Sequence, residues 1–152
     1  MQKEGTSAPQ FSTTDAEGEP VRLKDWRGQK VVLYFYPKDD TPGCTKEACS
    51  FRDAFAEFKK RGIKVLGVSP DSAKSHQKFA AKYDLPFTLL ADKDHAIADA
   101  YGVYGQKKFM GRTYMGVIRS TFLIDEKGKI KKVFEKVKPD EHAREVLDAF
   151  ED

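Results

Sequence analysis

Long apolar runs are missing from this sequence: no stretch approaches the roughly 20 residues that a membrane-spanning helix needs. The opening segment MQKEGTSAPQ also lacks the apolar centre of a secretion signal. A cytoplasmic location and no membrane partner are therefore expected. Charge of one sign is scarce too, because 27 basic residues face 24 acidic ones for a net charge of +3. A balance so even, with the two signs interspersed, gives no reason to expect nucleic acid or a membrane as a partner. Repeats, low-complexity tracts and flexible linkers are absent. With 152 residues, 39% apolar and 34% charged, the chain is expected to form one domain, residues 1–152, whose core needs no disulfide staples.

Cysteine is scarce and confined. The only two, Cys44 and Cys49, lie in the stretch DDTPGCTKEACSF. In a reducing compartment a pair of cysteines is a poor candidate for a permanent bridge, which leaves free core thiols, metal ligands or redox chemistry. The three histidines, His76, His95 and His142, fall in separate predicted elements with no ligand spacing to the cysteines, so metal is disfavoured. His76 and His142 sit on predicted helices among polar neighbours and are expected to be solvated. No histidine is assigned a role.

What is present reads as alternating strands and helices. Residues 11–23 have a turn-rich centre between extended flanks, the pattern of a peripheral β-hairpin. KVVLYFYP is an unbroken β-branched and aromatic run, as for a central strand buried on both faces. TKEACSFRDAFAEFKKRG predicts one helix with Phe51, Phe55 and Phe58 inward and Gly62 at its end. A strand over residues 63–70 follows, then a helix opened by Asp71 as N-cap, a strand in PFTLLAD and a short helix closing near Gly102. Residues 104–117 are irregular, basic and glycine-dotted, and the segment 107–119 reads as a mobile loop over the site in preference to a nucleic-acid patch. RSTFLID and KIKKVFEKV predict a hairpin, and Pro139 stands near the start of a terminal helix. This order specifies an α/β, thioredoxin-like fold: a central mixed β-sheet flanked by helices on both faces, extended by the N-terminal hairpin and one inserted strand–helix pair. Ligands in such sheets bind beyond the carboxyl ends of the strands, where the loop after Tyr36 lies.

Thr41, Pro42 and Cys44 read as a helix opening: Thr41 as a cap, Pro42 at the first helical position and Cys44 in the first turn. Unpaired N–H groups and the positive end of the helix dipole stabilise a thiolate there, which makes Cys44 the better nucleophile. Five residues along a helix turn Cys49 about 140° away and about 7.5 Å up. The Cα atoms are then about 8–9 Å apart, beyond the ~7 Å that a disulfide spans without backbone movement. A C-x-x-C pair, at about 5 Å, closes with its helix intact. The wider spacing therefore predicts that any Cys44–Cys49 redox cycle unwinds the start of this helix. By itself Cys49 reads better as a small buried hydrophobe than as a reactive thiol, while for Cys44 the two readings are even.

The segment YFYPKDDTPGCTKEAC closely resembles the active-site segment of peroxiredoxins, whose Pro-x-x-x-Thr-x-x-Cys pattern is met by Pro37, Thr41 and Cys44. With Cys49 and the downstream GVYGQKKFMGRTYMGVIRSTFLID, the chain is similar to the bacterioferritin comigratory protein, or peroxiredoxin Q, branch from about residue 8 through the terminal helix. The resemblance implies a thiol-dependent peroxidase acting on hydrogen peroxide and on organic (alkyl) hydroperoxides. It implies that Cys44 is the peroxidatic cysteine, that Thr41 hydrogen-bonds the peroxide, that Pro37 shelters the pocket and that Arg119 holds thiolate and substrate. Cys49 would resolve the Cys44 sulfenic acid as an intramolecular disulfide, recycled by thioredoxin or a similar dithiol reductant. No metal, haem, flavin or other cofactor is implied, and a bridge within one chain removes any chemical need for a dimer, so a monomer is expected. Two rivals stand beside this reading. One is a non-peroxidatic thiol–disulfide oxidoreductase, whose C-x-x-C mark is absent; the other is a non-catalytic holdase or copper-binding module, which Cys44 reactivity toward peroxide would distinguish.

Overall fold

The computed structural model describes residues 1–151. Along them run β1 (Ser12–Asp15), β2 (Pro20–Arg22), β3 (Lys30–Phe35), α1 (Pro42–Asp53), α2 (Phe55–Lys60), β4 (Ile63–Ser69), α3 (Ala73–Tyr83), β5 (Thr88–Ala91), α4 (Ala96–Tyr101), β6 (Tyr104–Phe109), β7 (Arg112–Val117), β8 (Ser120–Ile124), β9 (Ile130–Phe134) and α5 (His142–Phe150).

Side chains alternate across a strand, so an unbroken apolar run buries both faces. In β3, Val32, Tyr34 and the following Tyr36 enter one core with Phe51, Phe58, Phe79, Val146 and Phe150 from α1, α2, α3 and α5. Val31, Leu33 and Phe35 enter a second core with Ile97, Ala98 and Tyr101 of α4. A strand covered twice belongs inside the sheet, and the order is β2-β1-β5-β4-β3-β8-β9. β3, β4 and β5 are parallel; β1 joins β5, β8 joins β3 and β9 joins β8 antiparallel. The sheet is mixed, with helices on both faces, and the expected β1–β2 hairpin forms one edge.

Four local expectations need correction. Residues 42–60 form two helices instead of one, with Ala54 between them at φ −98°, ψ 4°. The Ala54 carbonyl accepts from the N–H groups of Glu57 and Phe58, so the break leaves hydrogen bonding intact. It re-aims the chain so that Phe51 and Phe58 are fully buried while Phe55 is only partly so. Secondly, Ser72 caps α3, its hydroxyl accepting from the Ser75 N–H at 3.2 Å. Asp71 is engaged elsewhere, by the Ser69 hydroxyl at 2.6 Å and the Asp39 N–H at 2.8 Å.

Residues 104–117 are an ordered two-stranded ribbon, paired from Tyr104 with Val117 to Phe109 with Arg112. Met110 and Gly111 make its turn at φ 50° and 78°, the left-handed geometry that matches the twist of a tight hairpin. Adjacent lysines and glycines masked the alternation that would have predicted it. Lastly, α5 begins at His142, and Pro139 lies in the turn before it.

Phe51 carries much of the packing of α1. It stacks on Tyr34 with ring centres 4.7 Å apart, meets Phe58 at 5.7 Å and takes the edge of His142 at 5.6 Å. Phe51→Ala should cost about 3–5 kcal/mol in urea unfolding, and a loss below about 1 kcal/mol would show that α1 is held by other contacts.

Candidate active site

The loop from Tyr36 to Thr41 crosses the carboxyl end of β3, and α3 clamps it there. The Tyr36 N–H donates to the Val68 carbonyl at 3.0 Å, prolonging the pairing with β4 by one residue. Buried Asp39 accepts from the Tyr36 hydroxyl at 2.6 Å and the Ser75 hydroxyl at 2.8 Å, and lies 2.7 Å from His76 Nδ1. His76 Nε2 donates to the Leu90 carbonyl at 2.9 Å. Asp40, in the left-handed region at φ 56°, accepts from the Tyr83 hydroxyl at 2.7 Å and pairs with Lys82 at 2.8 Å. Consecutive aspartates thus tie the loop to both ends of one helix.

Half-buried Pro37 is the second residue of this loop and Thr41 ends it. Thr41 has the extended backbone of a cap residue, φ −102°, ψ 156°, yet its side chain makes no capping bond. Its hydroxyl instead donates to the Lys38 carbonyl at 2.9 Å, which tightens the loop on itself. Pro42 opens α1 as expected, and Cys44 follows in the first turn, 2% exposed.

Cys44, Glu47, Ala48 and Phe51 are the buried face of α1, at the i, i+3, i+4, i+7 spacing that places side chains in one stripe. Arg119, between β7 and β8, reaches across to that stripe. Its Nη2 donates to Cys44 Sγ at 3.1 Å and its Nη1 donates to Glu47 Oε1. Gly43 leaves room for this approach, since a Cβ there would come within 3.3 Å of Nη2.

Electrostatics follow from burial. Burial lifts the Glu47 carboxyl to about 7, against the lowering pull of Arg119. Its Oε2 has no hydrogen-bond partner among the described residues. Burial acts to weaken Arg119 as a cation, but Glu47 and Cys44 outweigh it, so the guanidinium is held all the more firmly charged. Burial and then Arg119 depress Lys107, whose ammonium donates to the Val117 carbonyl at 2.9 Å. Tyr34, beneath the site, is raised by burial and then by Glu47 and Cys44, so its phenol stays neutral.

The structure therefore brings Cys44 and Arg119 into contact, sets Thr41 just before the same helical turn and leaves Pro37 at the far end of the loop. Cys49 is half-buried on intact α1, and both cysteines are free. Helical geometry keeps their Cα atoms about 8–9 Å apart.

Known proteins resemble this chain in sequence and fold. The AhpC/TSA family profile matches residues 5–133, most of the chain. The chain belongs to the AhpC/TSA family. Its relatives place it in the Bcp, or peroxiredoxin Q, branch of the peroxiredoxins. Peroxiredoxin Bcp of Escherichia coli strain K12 is 50% identical, over 95% of this chain and 93% of that protein. The Xanthomonas campestris bacterioferritin comigratory protein, studied in trapped intermediate and ligand complexes for its alkyl peroxide reduction activity, superposes with a TM-score of 0.88. It is 40% identical and covers 93% of this chain and 90% of that one. A Cys-to-Ser variant of Xylella fastidiosa PrxQ gives a TM-score of 0.91 at 33% identity, covering 99% and 98% of the two chains. The thioredoxin-like α/β fold expected from the element order is the fold of these structures.

Several residues around this peroxiredoxin's site escaped the sequence reading. Glu47 left one signal, a carboxylate three residues after Cys44 on the apolar stripe. Asp39 left none, because its partners Ser75 and His76 are distant in sequence. The expectation that His76 and His142 are solvated is wrong: both are fully buried. His142 Nε2 lies 2.7 Å from the Thr121 hydroxyl, and burial lowers the pKa of this ring so that it is neutral at pH 7. Polar sequence neighbours point outward from a helix while the residue between them points in, which is why neighbours misled.

Glu47 provides a test through linkage. Its folded-state carboxyl is raised from 4.5 to about 7, so folding favours the protonated form. That contribution to stability is complete below the lower value and is lost as pH rises through the higher one. Between about pH 5 and about pH 8, denaturation should show wild type losing up to about 3 kcal/mol relative to Glu47→Gln. Parallel pH profiles for the two proteins would refute the assignment.

Proposed function

We propose that Cys44 is the peroxidatic cysteine of a thiol-dependent peroxidase that reduces hydrogen peroxide and alkyl hydroperoxides. The observation that carries this reading is the Arg119 Nη2 donor 3.1 Å from Cys44 Sγ, with Cys44 itself almost wholly buried. A buried thiolate needs a paired cation, and this one also faces the oxygen that leaves. The Cys44 sulfur attacks one peroxide oxygen, the O–O bond breaks, and the departing alkoxide or hydroxide takes a proton to become alcohol or water. Cys44 becomes a sulfenic acid. Thr41 lies one helical turn before Cys44; its hydroxyl donates to the peroxide by exchanging its bond to the Lys38 carbonyl. Pro37 screens the pocket from water.

Cys49 then attacks the sulfenic sulfur, a disulfide forms and water leaves. At a separation of about 8–9 Å this step requires α1 to open. The clamps from α3 hold residues 39 and 40, and Phe51 holds the far side, so unwinding falls between them. A dithiol protein such as thioredoxin reduces the bridge by thiol–disulfide exchange. The protein acts as a cytoplasmic monomer of one domain, because the bridge lies within one chain and no partner need supply a thiol.

NADPH-coupled peroxide consumption with thioredoxin and its reductase tests the assignments. Cys44→Ser should be inactive, and undiminished turnover in that variant would end the reading. Arg119→Ala should lower kcat/KM for peroxide by about 100-fold or more. Cys49→Ser should fail with thioredoxin, work with a small thiol and overoxidise faster than wild type. Mass spectrometry of peroxide-treated wild type should find a Cys44–Cys49 bridge and far-UV circular dichroism a loss of helix; a bridge with unchanged helicity would contradict the unwinding step.

A further inference from the structure

The β6–β7 ribbon carries a distribution of side chains that the proposed chemistry does not use. Residues 104–117 include Lys107, Lys108 and Arg112 and no acidic residue. Since the chain has 27 basic and 24 acidic residues, 24 of each sign remain elsewhere, and the net charge of +3 resides on this ribbon. Apolar exposure is concentrated in the same place. Of the five large hydrophobic side chains exposed among the described residues, four are Phe109, Met110, Tyr114 and Met115, at 66%, 87%, 47% and 57%. The strands pair only with each other, outside the seven-stranded sheet.

Register arranges these groups. Phe109 stands beside Arg112 and Tyr114 beside Lys107 on one face; Lys108 beside Thr113 and Met115 beside Gln106 share the other, with Met110 at the turn. The tip is thus apolar and its flanks are cationic. A cluster of large apolar side chains in water marks a binding surface, and the charge selects among partners. A second copy would set one cationic ribbon against another, and like charges oppose. An anionic bilayer satisfies both properties: its phosphates attract Lys108 and Arg112, and its acyl boundary takes Phe109, Met110 and Met115.

We propose that the β6–β7 hairpin docks this protein on anionic phospholipid surfaces. The expectation of no membrane partner rested on the lack of a spanning run and on charge summed over the whole chain, and neither detects a local concentration of charge. Arg119 lies two residues beyond β7, so the site stands at the foot of the docked hairpin. If Cys44 is peroxidatic as proposed above, docking presents hydroperoxides of membrane acyl chains to it.

Co-sedimentation of the full chain with vesicles tests docking without reference to activity. Wild type should bind vesicles containing phosphatidylglycerol, release them at high salt and ignore vesicles of phosphatidylcholine alone. Lys108→Glu with Arg112→Glu should lower partitioning by about tenfold or more, and Met110→Ser should weaken it while leaving hydrogen peroxide turnover and thermal unfolding unchanged. Absence of wild-type binding, or equal binding by the charge-reversed protein, would overturn the proposal. So would a ribbon-dependent dimer, or a ribbon-dependent KM for a protein reductant, found without vesicle binding. Vesicle binding by a protein inactive toward peroxide would uphold docking and reject only the peroxidase reading.

Discussion

The contact on which the site depends is the guanidinium of Arg119 lying between Cys44 and Glu47. Two groups that dislike burial as anions, Cys44 and Glu47, are buried together, and the half-buried guanidinium makes both tolerable. A lone carboxylate in the place of Glu47 would be neutral at pH 7, and a lone thiolate in the place of Cys44 would be strongly disfavoured. The cation is shared between them, and Glu47, pushed up to about 7, sits near the balance point of its two forms. Much of the nearby architecture serves this contact: Gly43 makes space for it, Phe51 fixes the helix that carries two of its members, and the pairing of β8 with β3 holds Arg119 at the third.

That contact sits between one part that is fastened and one that is free to change. On the fastened side, Asp39 and Asp40 anchor the loop to α3 through buried and exposed partners respectively. On the other, the first turns of α1 hold a cysteine pair that cannot bridge while the helix is intact. The break at Ala54 separates α1 from α2, so the two helices need not move as one rod. A thiol cycle in this arrangement couples chemistry to local unfolding, and stability differences between segments become part of turnover.

Fold class was legible because it follows from periodicity. The double-sided strand at residues 30–36, the hairpin around Gly128 and the αL stop at Gly102 all announce themselves within a few residues. Positions of helix caps and breaks were less legible, since Asp71 and Ser72 are both good caps and only the pull of Asp39 and Ser69 on Asp71 decides between them. The ribbon at residues 104–117 was hidden because adjacent lysines and glycines mask its alternation and only its base, at Tyr104 and Val117, is packed on a core.

Within the site, the sequence by itself determined what depends on short range: Cys44 at a helix start, Cys49 out of bridging distance, and Thr41 and Pro42 before them. Tertiary structure alone decided which distant groups meet them. Arg119 is 75 residues from Cys44, and His76 is 37 from Asp39. Backbone propensities act over a few residues and can be read from a chain, whereas the neutralisation of a buried charge depends on which residue the closed sheet places opposite it. That same closure turned His76 and His142 inward and left a whole chain's excess charge on one ribbon that packs into the core only at its base, through Tyr104 and Val117.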